Sequence, residues 1–163
     1  MKAILDEPRT IESKSPKAEG VFMDVNTDLQ SIVIDAPAST IYQRLLRFED
    51  LPRFMSSITK IDNIRTNGFT STSIINGDEI KSDVLIMMRV PDRRIAWQAV
   101  SEQFRVGVIF LDPVLGGATK MTVKVRSIIE PVMLTGALRR YLRNFKQLIE
   151  QTGSQRLPDE AMV

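Results

Sequence analysis

A chain of 163 residues, 43% hydrophobic and 26% charged, has room for one sizeable core and not for two. It contains neither cysteine nor histidine, which excludes a disulfide framework, a thiol nucleophile, and the commonest general base and metal ligand. Its 22 basic side chains exceed its 20 acidic ones by only two, so a case for nucleic-acid binding would need local clustering of charge.

Residues 1–28 are polar and charged, punctuated by Pro8, Pro16 and Gly20, with Val21-Phe22-Met23 as an apolar cluster. They read as an N-terminal arm. The stretch from Met1 to Glu7 lacks the long apolar run of a secretion signal, and no segment approaches the roughly 18 apolar residues of a spanning helix. The expected location is the cytoplasm, with no transmembrane segment.

Ser31-Ile32-Val33-Ile34-Asp35 is rich in β-formers and ends at Ala36-Pro37. Ser39 or Thr40 is placed to cap a short helix through Ile41, Leu45 and Leu46. A second short helix is expected to open at Leu51-Pro52-Arg53-Phe54-Met55, because proline suits a first turn. Six strands then follow, spanning residues 58–65, 69–76, 79–90, 93–100, 104–111 and 119–129. They are separated by Asn67-Gly68, Asn76-Gly77-Asp78, Pro91-Asp92 and Gly116-Gly117, which supply the positive or fixed φ of hairpin turns. Six strands at hairpin spacing predict an antiparallel meander that the first strand completes.

From Pro131 to about Gln151, Leu134, Ala137, Leu138, Tyr141, Leu142, Phe145, Leu148 and Ile149 fall on one arc of a helical wheel. Arg139, Arg140, Arg143, Lys146 and Gln147 fall opposite. Gly153 is placed to end this helix, leaving residues 153–163 as a tail.

The order strand, two short helices, six-strand meander and long amphipathic helix resembles the START-like (SRPBCC) superfamily. Three segments carry the resemblance: residues 31–42, from Ser31 to Tyr42; Phe48-Glu49-Asp50-Leu51-Pro52-Arg53-Phe54-Met55; and Val90-Pro91-Asp92-Arg93-Arg94-Ile95-Ala96-Trp97. They are similar to bacterial proteins of the polyketide cyclase/dehydrase type, with coenzyme Q-binding and lipid-transfer branches as more distant relatives. The resemblance covers Leu29 to Gln151 and implies one α+β helix-grip domain at residues 29–152. In that fold a seven-stranded curved antiparallel sheet wraps around the C-terminal helix, with a cavity where sheet and helix do not touch.

Strand alternation then names the inward side chains. They are Phe69, Ser71, Ser73 and Ile75; Ser82, Val84, Ile86 and Met88; Ile95 and Trp97; Gly107, Ile109 and Leu111; and Met121, Val123 and Val125. With Leu138, Tyr141, Leu142 and Phe145 of the helix, these strands supply the candidate ligand-binding residues. Ser71 and Ser82 stand where the resemblance leads one to expect tryptophan, which implies more room and two hydroxyls. How Trp97, Phe69 and Phe145 pack decides how much cavity remains.

The inward set is poor in chemistry. Tyr141 is a candidate proton donor, while Asp35, Glu79 and Asp83 form no inward carboxylate pair. No phosphate-binding glycine loop and no metal-ligand spacing is present, so no cofactor and no metal are expected. The expected function is binding or transport of a small hydrophobic molecule, such as a lipid, quinone or polyketide-like compound. One alternative is a cyclase/dehydratase-type enzyme using Tyr141. Another is a macromolecular interaction module using the basic helix face and an outer apolar stripe of Leu85, Met87, Val108 and Phe110. That stripe needs a cover, either a second copy in a homodimer or the Val21-Phe22-Met23 segment.

Overall fold

The computed structural model describes residues 25–100 and 105–162, without the side chains of residues 75 and 153–162. The Val21-Phe22-Met23 cluster lies outside the described residues.

Strand β1 (Asn26–Ile34) leads into α1 (Ala38–Leu45) and a 3-10 helix (Phe48–Arg53). The meander follows as β2 (Ile58–Arg65), β3 (Gly68–Ile75), β4 (Asp78–Val90), β5 (Arg94–Val100), β6 (Arg105–Pro113) and β7 (Thr119–Ser127), and α2 (Pro131–Met162) ends the description. All seven strands form one antiparallel sheet in the order β1-β7-β6-β5-β4-β3-β2, so the first strand does complete the meander. This is the helix-grip architecture, with β1 and β2 as the two free edges. Among the described residues no helix is long and apolar enough to cross a membrane.

Several boundaries differ from the sequence expectation. Strand β1 begins at Asn26, inside the stretch read as an arm, because β7 supplies backbone partners from Ser127 onward whatever the side chains prefer. Neither Ser39 nor Thr40 caps α1; Pro37 precedes the first turn and its carbonyl accepts from the Ile41 N–H at 3.2 Å. The second helix starts at Phe48, and Pro52 sits near its end instead of in its first turn. There the buried Asp50 gathers Arg47 at 3.4 Å, Arg44 at 3.8 Å and Arg53 at 3.9 Å, which ties the connection together. Helix α2 passes through Gly153 and continues to Met162. Glycine weakens a helix, but it ends one where the chain turns away through positive φ, and here the backbone stays helical.

Three of the four expected turns have the left-handed backbone they need: Asn76 (φ 53°) with Gly77 (φ 85°), Asp92 (φ 65°), and Gly116 (φ 85°) with Gly117 (φ 80°). In the β2-β3 hairpin the left-handed residue is Asn63 (φ 51°), at a register slip between Asp62 and Arg65, and not Asn67-Gly68. Gly68 answers a different constraint, since a Cβ there would lie 2.7 Å from the Val84 carbonyl oxygen.

The core is concentrated where α1 and α2 meet the sheet, around Ile34, Ile41, Leu111 and Phe145. Helix α2 also ties to the β1 edge through polar bonds. The Lys146 ammonium donates to the Val33 carbonyl at 2.7 Å and to Glu150 at 2.6 Å, while Glu150 accepts from the Asp35 N–H at 2.9 Å. The Lys146 hydrogen bond holds the Glu150 carboxyl below its ordinary value, with burial opposing it and the Asp35 N–H assisting. A carboxylate whose folded pKa is depressed contributes stability that is present above its unfolded value of about 4.3 and lost as pH falls through the folded value. Because the two side chains keep 35% and 31% of their surface in solvent, Glu150→Gln should cost no more than about 1 kcal/mol at pH 7. In urea titrations the gap between wild type and variant should narrow as pH falls below about 4.3, the unfolded value.

Candidate functional site

Helix α2 is held at both margins of the sheet. Opposite the β1 contacts, the Asn144 amide donates to the Phe54 carbonyl at 3.2 Å, and the hydroxyls of Tyr141 and Ser57 hydrogen-bond at 2.7 Å. Ser57 lies immediately before β2, so the helix bridges the concave face from one edge to the other. Beneath it is a cavity of about 390 Å³, within the range of about 300–1,000 Å³ typical of small-molecule sites.

Most of the expected residues meet at this cavity. Phe69, Ser71 and Ser73 of β3, Val84 and Ile86 of β4, Trp97 of β5 and Ile109 of β6 line it, and Leu138, Tyr141, Leu142 and Phe145 face them from α2. Ile95, Met121, Val123 and Val125 also belong to the wall. The aromatic rings do not close the space. Phe69 is drawn against Phe48 with ring centroids 4.7 Å apart, and Phe145 stands edge-on to Phe54 at 4.9 Å.

Four residues depart from the expectation. Ser82 is buried at the register position opposite Ser71, but its short side chain does not reach the wall. Leu111 is 1% exposed within the core that contains Ile34 and Ile41, away from the cavity. Ile75 ends β3 and its side chain lies outside the described residues, whereas its neighbour Ile74 contributes to the lining. Met88, placed inward by simple alternation, points out and is 44% exposed. A register shift between Ile86 and Met88 inserts one residue and turns the rest of β4 over.

The polar part of the wall was largely missed. Arg105, Ser57, Asn76 and Arg140 join Ser71, Ser73 and Tyr141 there. Arg105 shares the face of Gly107 and Ile109, so extending the alternation by one step would have found it. Its Nε is buried with no hydrogen-bond partner among the described residues. Burial lowers its pKa from the ordinary arginine value and the neighbouring Tyr141 opposes the shift; an arginine nevertheless stays charged at neutral pH. Arg140, expected on the solvated side of the helix, lies with its guanidinium 5.6 Å from the Tyr141 ring centroid. Exposed at the rim with it are Ile74, Asn76 and Met133. The rest of the basic stripe is partly engaged: Arg139 donates to Gln30 at 3.2 Å and Lys146 holds β1.

No family model matches the sequence. A search of curated proteins finds an uncharacterized 17.2 kDa protein of Streptomyces lincolnensis, encoded in a melC2-rnhH intergenic region. It is 30% identical over 137 residues, covering 77% of this chain and 91% of that protein. The chain belongs to the same family as that protein. Among solved structures, a START superfamily protein from Mycobacterium smegmatis superposes with a TM-score of 0.67 at 13% identity, over 77% of this chain and 98% of its own. The di-domain ARO/CYC protein BexL superposes with a TM-score of 0.63 at 18% identity, over 77% of this chain and 46% of its own. The fold of this family member is therefore START-like.

The outer face carries the expected apolar stripe. Leu85 is 40% and Met87 61% exposed, Val108 and Phe110 are half-buried, and Arg94 covers part of the Phe110 ring at 5.2 Å. The bulge adds Met88 and Val90 to it.

Trp97 lies flat across Gly107, where an added Cβ would fall 2.2 Å from the indole Cζ2. Gly107→Ala must push the ring into the cavity, at a cost of about 1–3 kcal/mol. Since Trp97 is the only tryptophan, thermal unfolding and its emission spectrum should shift together, and Trp97→Phe should relieve part of the stability loss.

Proposed function

We propose that the cavity binds a small, mostly hydrophobic molecule of the lipid, quinone or polyketide-like kind, and that the protein carries or presents it without transforming it. The observation that carries this reading is a preformed space of about 390 Å³ between the sheet and α2, with walls dominated by aliphatic and aromatic side chains. The occurrence of the fold in an ARO/CYC protein supports keeping polyketide-like compounds among the candidates. Carriage is favoured over chemistry by the lining itself: no aspartate or glutamate is among its described residues, and the chain has no histidine or cysteine. The Tyr141 hydroxyl is already paired with Ser57, so a cyclase or dehydratase step would lack an evident base.

Each buried methylene contributes about 0.8 kcal/mol, so lengthening a straight-chain alcohol by two carbons should tighten binding roughly tenfold until the cavity is full. Displacement of the neutral fluorophore 1-N-phenylnaphthylamine measures this. Ala137→Trp places a large ring in the lining from a half-buried helix position. It should weaken probe binding at least about tenfold with little change in melting temperature. Equal affinity in the folded variant would overturn the assignment of the cavity as the binding site.

We also propose that the outer apolar face meets a second copy of the chain. Leu85, Met87, Met88 and Val90 lie exposed together on β4, with Val108 and Phe110 on nearby β6, an extent of apolar surface that marks contact sites. Light scattering should report a dimer for the wild type and a monomer for the Leu85→Glu, Met87→Glu double variant; a monomeric wild type would refute the proposal.

A further inference from the structure

The cavity has an electrical sign as well as a shape. Two cations line it, Arg105 within and Arg140 at the rim, and no carboxylate does so among the described residues. Elsewhere in the molecule, the part-buried Arg44, whose Nε also lacks a hydrogen bond among the described residues, has the Asp50 carboxylate as counter-charge together with Arg47, and the exposed Arg94 lies over the ring of Phe110. Arg105 differs. Its Nε is likewise buried without a hydrogen-bond partner, but no carboxylate among the described residues pairs with it, and the side chain that acts on it is Tyr141. A buried charge without a counter-charge is costly, and native structures as a rule supply one.

The hydroxyl pair beside it adds a donor. Tyr141 and Ser57 carry two hydroxyl protons, and their mutual hydrogen bond at 2.7 Å uses only one. The other remains to be donated to an oxygen in the cavity. A guanidinium fork with a nearby hydroxyl proton matches a planar carboxylate, which accepts two parallel N–H bonds and keeps lone pairs for a third donor. The aliphatic and aromatic remainder of the wall suits an apolar tail, and Arg140 at the opening attracts the same charge. A doubly charged phosphate would lose more hydration on entering so apolar a space.

Resting on the reading of the cavity as a ligand site, we infer that its ligand is a monocarboxylate amphiphile, with the carboxylate on Arg105 and the Tyr141–Ser57 hydroxyl pair and the apolar body against Trp97, Ile109 and Leu138. Neutral hydrophobes of the same length are then the weaker ligands.

The test compares decanoate with decan-1-ol as displacers of 1-N-phenylnaphthylamine from the full chain at pH 7. Charge-assisted hydrogen bonding should give decanoate an advantage of roughly tenfold to hundredfold in the wild type. Arg105→Gln should reduce that ratio to about one while the neutral probe still binds, and Arg105→Lys should retain part of it. Tyr141→Phe should lower the ratio by a smaller factor. If the wild type displaces the probe equally well with both compounds, the carboxylate assignment is wrong and the hydrophobic cavity stands. If neither the probe nor either compound binds, the cavity reading itself fails. Because the wild-type comparison needs no substitution, a poorly folded Arg105→Gln would leave the inference open to refutation.

Discussion

The structure depends on how α2 is held by the two edges of one open sheet. At the β1 edge, Lys146 and Glu150 bond to backbone groups of Val33 and Asp35. At the other margin, Asn144 and Tyr141 bond to Phe54 and Ser57, just before β2. A strongly curled antiparallel sheet has a concave face that a straight helix cannot follow. Fixed at both rims, α2 spans the hollow instead of filling it. The same contacts that close the fold thus keep its middle strands away from the helix.

A hollow core is a compromise in packing energy. Side chains facing empty space lose dispersion contacts that a close-packed interior would supply. Here the loss is confined by aromatic pairs, Phe48 with Phe69 and Phe54 with Phe145, which brace the walls. Gly107 lets the Trp97 ring lie flat along the sheet. A bound apolar molecule would restore the missing contacts, so occupancy and stability are linked by mass action. The Nε of Arg105, without a partner among the described residues, follows the same logic in electrostatic form: a ligand of matching charge would supply the interaction it lacks.

The site was legible where strand period alone decided it. Phe69, Ser71, Val84, Ile86, Trp97 and Ile109 reach the wall because side chains two apart share a face. Period failed where the backbone broke step, as at the β4 bulge that sends Met88 outward. It also could not separate facing inward from facing the cavity: Ser82 and Leu111 do the first and not the second, a distinction set by where α1 and α2 touch the sheet. Arg105 was within reach of the alternation, one step before Gly107 on the same face. Arg140 was not, because a long flexible side chain can leave the arc its Cα occupies.

The sequence by itself determined the class of fold, the antiparallel order of its strands, the amphipathic C-terminal helix and the absence of thiol or imidazole chemistry. These follow from hydrophobic period, turn residues and composition, which act over a few neighbours. Only the tertiary structure decided that α2 is anchored at both sheet edges, that a cavity stays open between them, and that a part-buried arginine enters its wall. Those properties arise from contacts between residues tens of positions apart, such as Tyr141 with Ser57, and no local pattern in a single chain encodes the distance between two surfaces.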